Sequence, residues 1–142
     1  SFMLIPFGGL LWQVNLSEAH ISERKVIYSP EFIDWYEFLS KREKFQVDAW
    51  LKHLESSGPK TKRPAVEHIK GSRFQKMKEL RVPKNIRILF IFDRQRSLVL
   101  LVGGNKSEKD QSSPNWNRWY QKMIPMAERI YSKHLEKLEE SQ

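Results

Sequence analysis

Residues 76–106, KMKELRVPKNIRILFIFDRQRSLVLLVGGNK, constrain this chain most, because three strand-like runs follow one another there with turn residues between them. Met77 to Val82 ends at Pro83-Lys84-Asn85, Ile86 to Phe92 ends at Asp93-Arg94-Gln95-Arg96, and Leu98 to Val102 ends at Gly103-Gly104. Runs so closely spaced predict an antiparallel meander. If Pro83 to Asn85 form a three-residue loop, Val82 pairs with Ile86 and Arg81 lies directly opposite Arg87, with Cβ atoms about 5 Å apart. Like charges at opposed positions are destabilising, and Glu79, two residues from Arg81 on the same face, relieves only one of them. An anion bridging the two guanidiniums is expected. Ile86, Ile88, Phe90 and Phe92 fall on the other face, so that face is expected to take the core and the arginine face a ligand.

Charge gathers on the same stretch. The chain carries a net +8, yet residues 60–106 alone hold 13 Lys or Arg against the three acids Glu67, Glu79 and Asp93. A basic stripe on one element is the electrostatic footprint of a phosphate-rich partner, and a lysine-rich solvated face is the competing explanation. With 142 residues the chain is long enough for one domain with a core of its own. It has no cysteine, which excludes disulfides and thiolate metal sites and suits a reducing cytosol. The histidines at 20, 53, 68 and 134 lack metal-ligand spacing, so no metal site is expected.

Ser1-Phe2 ahead of Met3 reads as an expression remnant. MLIPFGG at 3–9 lacks a basic flank and is broken by Pro6 and Gly8-Gly9, which argues against a signal peptide. No apolar run reaches the roughly 20 residues that span a bilayer, so a soluble protein without a membrane partner is expected. Leu10, Trp12, Val14 and Leu16 alternate as in a half-buried strand, which either adds an edge strand or packs loosely. Lys25 to Tyr28 is a short strand candidate. Ser29 as N-cap with Pro30 and Glu31 behind it starts a helix bearing Phe32, Trp35, Tyr36 and Leu39 on one face. A second helix carries Val47, Trp50, Leu51 and Leu54 and stops at Gly58-Pro59, giving a helical hairpin whose aromatics are core rather than a binding platform.

Residues 58–75 read as a basic linker anchored by Ile69. Beyond the sheet, Ser113-Pro114 marks another helix start, with Trp116, Trp119, Tyr120 and Met123 on one face. Pro125 interrupts that helix or restarts it at a kink. The last helix, from Met126 to about Glu139, turns Ala127, Ile130, Tyr131, His134 and Leu138 to one side, where His134 is a packed or partly exposed residue rather than a catalyst.

The order of helical hairpin, basic loop, GSRF, MKELRV, IRILFIFD, LLVGGNK and WNRWYQKMIPMAERIYSKHL resembles the RelE superfamily of bacterial toxin-antitoxin toxins, in its HigB-like branch. The resemblance runs from about Lys25 to Leu138. It divides the chain into an N-terminal extension, 1–24, and a toxin domain, 25–142. It implies an α+β fold, RelE-like, in which a twisted antiparallel sheet packs on the N-terminal helical hairpin and is followed by C-terminal helices. It also implies a cytoplasmic, cofactor-free and metal-independent endoribonuclease that cuts mRNA on the ribosome and is neutralised by an antitoxin with a HigA-like helix-turn-helix domain. Carried over by motif position, Arg81, Arg87, Lys106 and Tyr120 are the catalytic candidates. Lys70, Arg73, Lys76, Lys78 and Lys84 are the basic residues expected on RNA, although strand parity puts Lys78 on the face opposite Arg81.

Metal-free RNA cleavage requires activation of a 2′-hydroxyl, stabilisation of the phosphorane charge and protonation of the leaving 5′-oxygen. Permanently charged guanidiniums suit the second task. Lys106 is a possible base, since clustered positive charge lowers a lysine pKa, and Tyr120 either donates a proton or stacks on a base. Two other readings stand beside this one: a non-cleaving nucleic-acid-binding or gyrase-targeting ParE-like toxin, and a catalytically decayed relative.

Overall fold

The computed structural model describes residues 2–7, 10–15, 24–83, 85–106 and 115–140. At the N-terminus β1 (Phe2–Phe7) and β2 (Leu10–Asn15) pair antiparallel from Phe2↔Asn15 to Phe7↔Leu10 and make a two-stranded sheet of their own. The alternation over 10–16 does mark a strand, but its partner is β1 and not the main sheet. Phe2 opens that ladder, opposite Asn15.

The main sheet begins with β3 (Val26–Tyr28), which leads directly into α1 (Pro30–Glu37). Ser29 holds that junction: its hydroxyl accepts from the Phe32 N–H at 2.9 Å and donates to the Leu101 carbonyl at 2.6 Å, so one side chain caps the helix and pins it to the sheet. A capping box then starts α2 (Lys41–Ser57), in which Ser40 accepts from the Glu43 N–H and Glu43 accepts from the Ser40 N–H. Gly58, at φ 63°, ends it in the left-handed region open to glycine. A short 3-10 turn, Gly58–Lys60, follows.

The basic stretch after it is not a plain linker. It contains β4 (Val66–His68), an edge strand antiparallel to β5 (Lys78–Val82). Three residues are too few to display a period, so the sequence hid this strand. Ile69 does anchor the following loop, packing with Phe74 against the second core layer. Then β5, β6 (Ile86–Phe92) and β7 (Leu98–Asn105) form the expected meander, in the spatial order β3-β7-β6-β5-β4. Two details depart from expectation. β3 runs parallel to β7, so the sheet is mixed, and β7 continues through Gly103-Gly104 to Asn105.

Both faces of this sheet are buried, contrary to the one-sided arrangement expected. Leu80, Val82, Ile88, Phe90 and Leu100 pack with Phe32, Val47 and Leu54 of the hairpin. On the reverse, Leu89, Ile91, Val99 and Leu101 pack with Trp119, Ala127 and Tyr131 of α3 (Trp116–Glu140). The unbroken apolar runs of β6 and β7 are what a strand covered on both sides requires. Gly103 and Gly104 mark where the two layers come nearest: a Cβ on Gly103 would lie 2.2 Å from the Trp35 ring, and one on Gly104 2.3 Å from Trp119 Nε1. Successive glycines thus admit one indole to each face.

α3 starts at Asn115, whose backbone and side-chain oxygens accept from the Trp119 and Asn117 N–H groups, and runs unbroken for 25 residues. The interruption expected at Pro125 does not occur, so there is one C-terminal helix. Proline removes the bond to the Gln121 carbonyl, but Gln121 and Pro125 both lie on the exposed face, where that carbonyl is open to solvent. The apolar face on either side of Pro125 holds the turns together. The helix start expected at Ser113-Pro114 lies outside the described residues. Among the described residues no helix is long and apolar enough to cross a membrane.

Candidate active site

The β5–β6 register is the one the turn chemistry demands: Val82↔Ile86, then Arg81↔Arg87. The two guanidiniums share the face turned toward α3. The charge conflict between them is resolved from inside the chain. Glu79, 3% exposed, accepts from Arg81 Nε at 2.8 Å through Oε1 and lies 3.7 Å from Arg87 Nη1 through the same oxygen. Its other oxygen accepts from the Tyr120 hydroxyl at 2.5 Å. Glu67 on β4 adds a second carboxylate, 2.8 Å from Arg81 Nη2, and itself pairs with Arg63. The expectation that Glu79 relieves only one arginine is therefore corrected: the bridging anion is Glu79 itself.

Each element contributes a defined part. β5 supplies Glu79 and Arg81, β6 supplies Arg87, and the first two turns of α3 supply Trp116 and Tyr120. The Arg87 guanidinium sits 5.0 Å from the Trp116 ring centroid, and Trp116, Trp119 and Tyr120 contact one another edge-on or tilted. This aromatic cluster can approach the sheet because Gly104, opposite Arg87, has no side chain. Burial, then the hydrogen bond to Glu79, raises the Tyr120 pKa far above the ordinary phenol value. Tyr120 is consequently a neutral donor at physiological pH. The hydrogen bond to Glu79 is also the largest cause of the raised Arg81 pKa, so Arg81 stays charged.

Arg81, Arg87 and Tyr120 are thus brought together. Among the described residues Arg81 Nη1 and Arg87 Nη2 have no protein partner and remain available to an anion. Lys106 follows β7 directly, donates its backbone N–H to Asn85 at 2.7 Å and has an exposed side chain; strand alternation from Gly104 puts it on the arginine side. Lys78 pairs with Phe90 on the hairpin face, as parity predicts. Lys70 and Lys76 are exposed in the loop before β5. Arg73 is engaged with α3, its guanidinium donating to the Ser132 hydroxyl and its backbone N–H to Glu128 at 2.7 Å. Lys84 lies outside the described residues. Glu79, Glu67 and Trp116 were missed as site residues, although Glu79 and Glu67, two of the three acids within the basic stretch, carried a readable signal. His134 is packed, as expected, and more specifically bound: its Nε2 lies 2.8 Å from the buried Asp93 carboxylate, tying α3 to the β6–β7 turn.

A mixed sheet held between a helical hairpin and one long helix, with a cross-strand arginine pair under a helix-borne tyrosine, defines a small α+β protein built around a guanidinium site. Residues 34–132 match the family model described as Phage derived protein Gp49-like (DUF891), and the chain belongs to that family, among the HigB-like toxins. It is 39% identical over 104 residues to the protein named toxin HigB3 of Mycobacterium tuberculosis strain H37Rv, covering 72% of this chain and 86% of that protein. With toxin HigB2 of the same organism it shares 33% identity over 111 residues, covering 75% of this chain and 52% of that one. Two solved structures overlap it at a TM-score of 0.48 each: the YoeB dimer from Staphylococcus aureus, 16% identical over 56% of this chain and 92% of that chain, and the toxin-antitoxin complex RelBE2 from Mycobacterium tuberculosis, 13% identical over 58% and 98%.

Proposed function

We propose that this protein is the toxin of a type II toxin-antitoxin pair and acts as a metal-independent endoribonuclease on mRNA held by the ribosome, in the cytoplasm, restrained by a HigA-like helix-turn-helix antitoxin. The observation that carries this reading is the Arg81–Arg87 pair, charged, preset by Glu79 and still offering outward N–H donors beside Tyr120. In the reaction the 2′-oxygen attacks the adjacent phosphorus and the P–O5′ bond breaks, leaving a 2′,3′-cyclic phosphate and a 5′-hydroxyl. Arg81 and Arg87 hold the non-bridging oxygens as charge builds on them. Lys106, acting as the neutral amine, takes the 2′ proton. Tyr120, with its proton held to high pH, is excluded as base; it orients Glu79 and, on turning from it, donates toward the 5′-oxygen. The ribosome supplies the strand in cleavable geometry, so free RNA is a poor substrate.

A non-cleaving ParE-like toxin is the second reading, favoured by one observation: Glu79 and Glu67 already take up Arg81 Nε and Nη2. Induced expression in a bacterial host, with growth followed and mRNA 5′ ends mapped, separates the two. Wild type is expected to arrest growth with new ends inside translated regions, and Arg81→Ala or Arg87→Ala to lose roughly 100-fold or more of the cleavage, as for removal of one charge-stabilising donor. Arrest without new ends would establish the non-cleaving reading, and folded wild type without arrest a decayed toxin.

A further inference from the structure

A second cationic groove lies at the other end of the sheet and on its other face. It has a volume of about 410 Å³, and its lining includes His68, Lys76, Lys78, Arg94 and Arg96. Asp93 is the one acid in that lining, and it is turned inward: its side chain has no exposure, Oδ1 accepts from the Gln95 and Ser97 N–H groups, and Oδ2 meets His134. The lysines and arginines have no ion-pair partner among the described residues. Pro59 and Phe92 are the apolar lining, and the Arg24 guanidinium lies over the Phe92 ring at 5.0 Å. Phe92 is itself buried, so its ring offers little surface to a peptide side chain. A polyphosphate chain needs only the charge.

The turn carrying Arg94 and Arg96 adds a second, independent observation. Arg96 has φ 64°, the only non-glycine residue among those described with positive φ. Its backbone is fixed there, the N–H donating to the Asp93 carbonyl at 2.9 Å and the carbonyl accepting from Arg24 Nη1 at 2.7 Å. Glycine or asparagine would occupy this left-handed position with less strain. An arginine kept where backbone energetics disfavour it, in a wall of unpaired cations, marks a site where the side chain is needed.

We propose that this groove is a second RNA-backbone site, which grips phosphates of the same strand or of structured RNA around it while Arg81 and Arg87 act on the reverse face. The inference rests on reading the protein as directed at RNA, not on its cutting RNA. Since His68 belongs to the edge strand β4, RNA held at both places wraps that edge of the sheet.

The test uses the full chain and a fluorescein-labelled 2′-O-methyl oligoribonucleotide of about 20 residues, which lacks the nucleophile and so reports binding alone. Lys76→Gln/Arg94→Gln/Arg96→Gly is expected to weaken binding roughly 100-fold near 0.1 M salt and to lower the salt slope by about 2, the loss of three phosphate contacts to a single strand. Arg96→Gly by itself is expected to weaken binding while raising Tm by about 2 °C, because it relieves the strained backbone. A merely structural arginine would not separate the two. Equal affinity and slope in wild type and triple variant would overturn the proposal, as would displacement of the RNA by poly-glutamate at equal charge, which would make the groove a site for acidic protein. The result is read without cleavage, so failure of the nuclease reading leaves it intact.

Discussion

Replacing Glu79 with Gln sets folding against ligand affinity. The carboxylate is buried and receives Arg81 Nε at 2.8 Å and the Tyr120 hydroxyl at 2.5 Å. The amide keeps the shape but removes the charge. Its oxygen must face Arg81, because an NH2 there would oppose another donor, so Tyr120 is left to accept where it had donated. Two charge-assisted bonds become ordinary ones and Arg87 loses its counter-charge. Hydrogen bonds to charged groups contribute about 1.5–3 kcal/mol each against about 1 for neutral ones, and the partial exposure of Arg81 discounts its share. The net cost is about 2 kcal/mol, a fall in Tm of roughly 4–8 °C for a chain of this length. RNA binding moves the other way. A phosphate on the outward donors of Arg81 would lie roughly 6 Å from Glu79, and removing that repulsion is worth about 0.7 kcal/mol even at the dielectric of water, or about threefold in affinity. Thermal unfolding and binding of a 2′-O-methyl oligonucleotide measure the two effects on one preparation. A variant that is as stable as wild type, or that binds no tighter, would refute the account of Glu79 as an internal stand-in for phosphate.

Two further outcomes follow from the same geometry. Gly104→Ala places a methyl 2.3 Å from Trp119 Nε1 and forces the indole and the start of α3 away from the sheet, so a loss of about 1–3 kcal/mol is expected together with a change in tryptophan fluorescence; an unshifted denaturant midpoint would contradict it. All four tyrosines, at 28, 36, 120 and 131, have pKa values raised above 10, Tyr36 to about 12 through its hydrogen bond to Asp48 and the others chiefly by burial. The folded state therefore keeps protons that the unfolded chain releases. Their contribution to stability is complete below pH 10 and falls as pH rises from there through the folded values. Tyrosinate absorbance should stay low at pH 10 in the folded protein and reach half its maximum in urea, and coincident curves would rule this out.

The arginine pair was legible because a proline-bounded turn fixes register and register fixes which residues oppose one another. The capped start of α1 was equally plain, since Ser29-Pro30-Glu31 states it locally. Three things were not. The second buried face of the sheet was written in the unbroken run Ile88 to Phe92, but alternation was read there instead. β4 was too short to carry a period, and with it Glu67 went unnoticed beside Arg81. The continuity of α3 through Pro125 depends on packing on both sides of the proline, which no local pattern records. Glu79 is legible as the neighbour of Arg81, but its bond to Tyr120 comes from a helix 41 residues away in sequence.

The pairing of β3 with β7 also dictates an order of assembly. Ser29 closes its contact with Leu101 across 72 residues, so α1 has no sheet to seat on until β7 has been made. Trp116 and Tyr120 are translated later still. A nascent chain emerging from the N-terminus therefore has its arginine hairpin well before the helix that covers it, and Glu79 meets Tyr120 only with α3. Contacts this distant in sequence make folding slow and late.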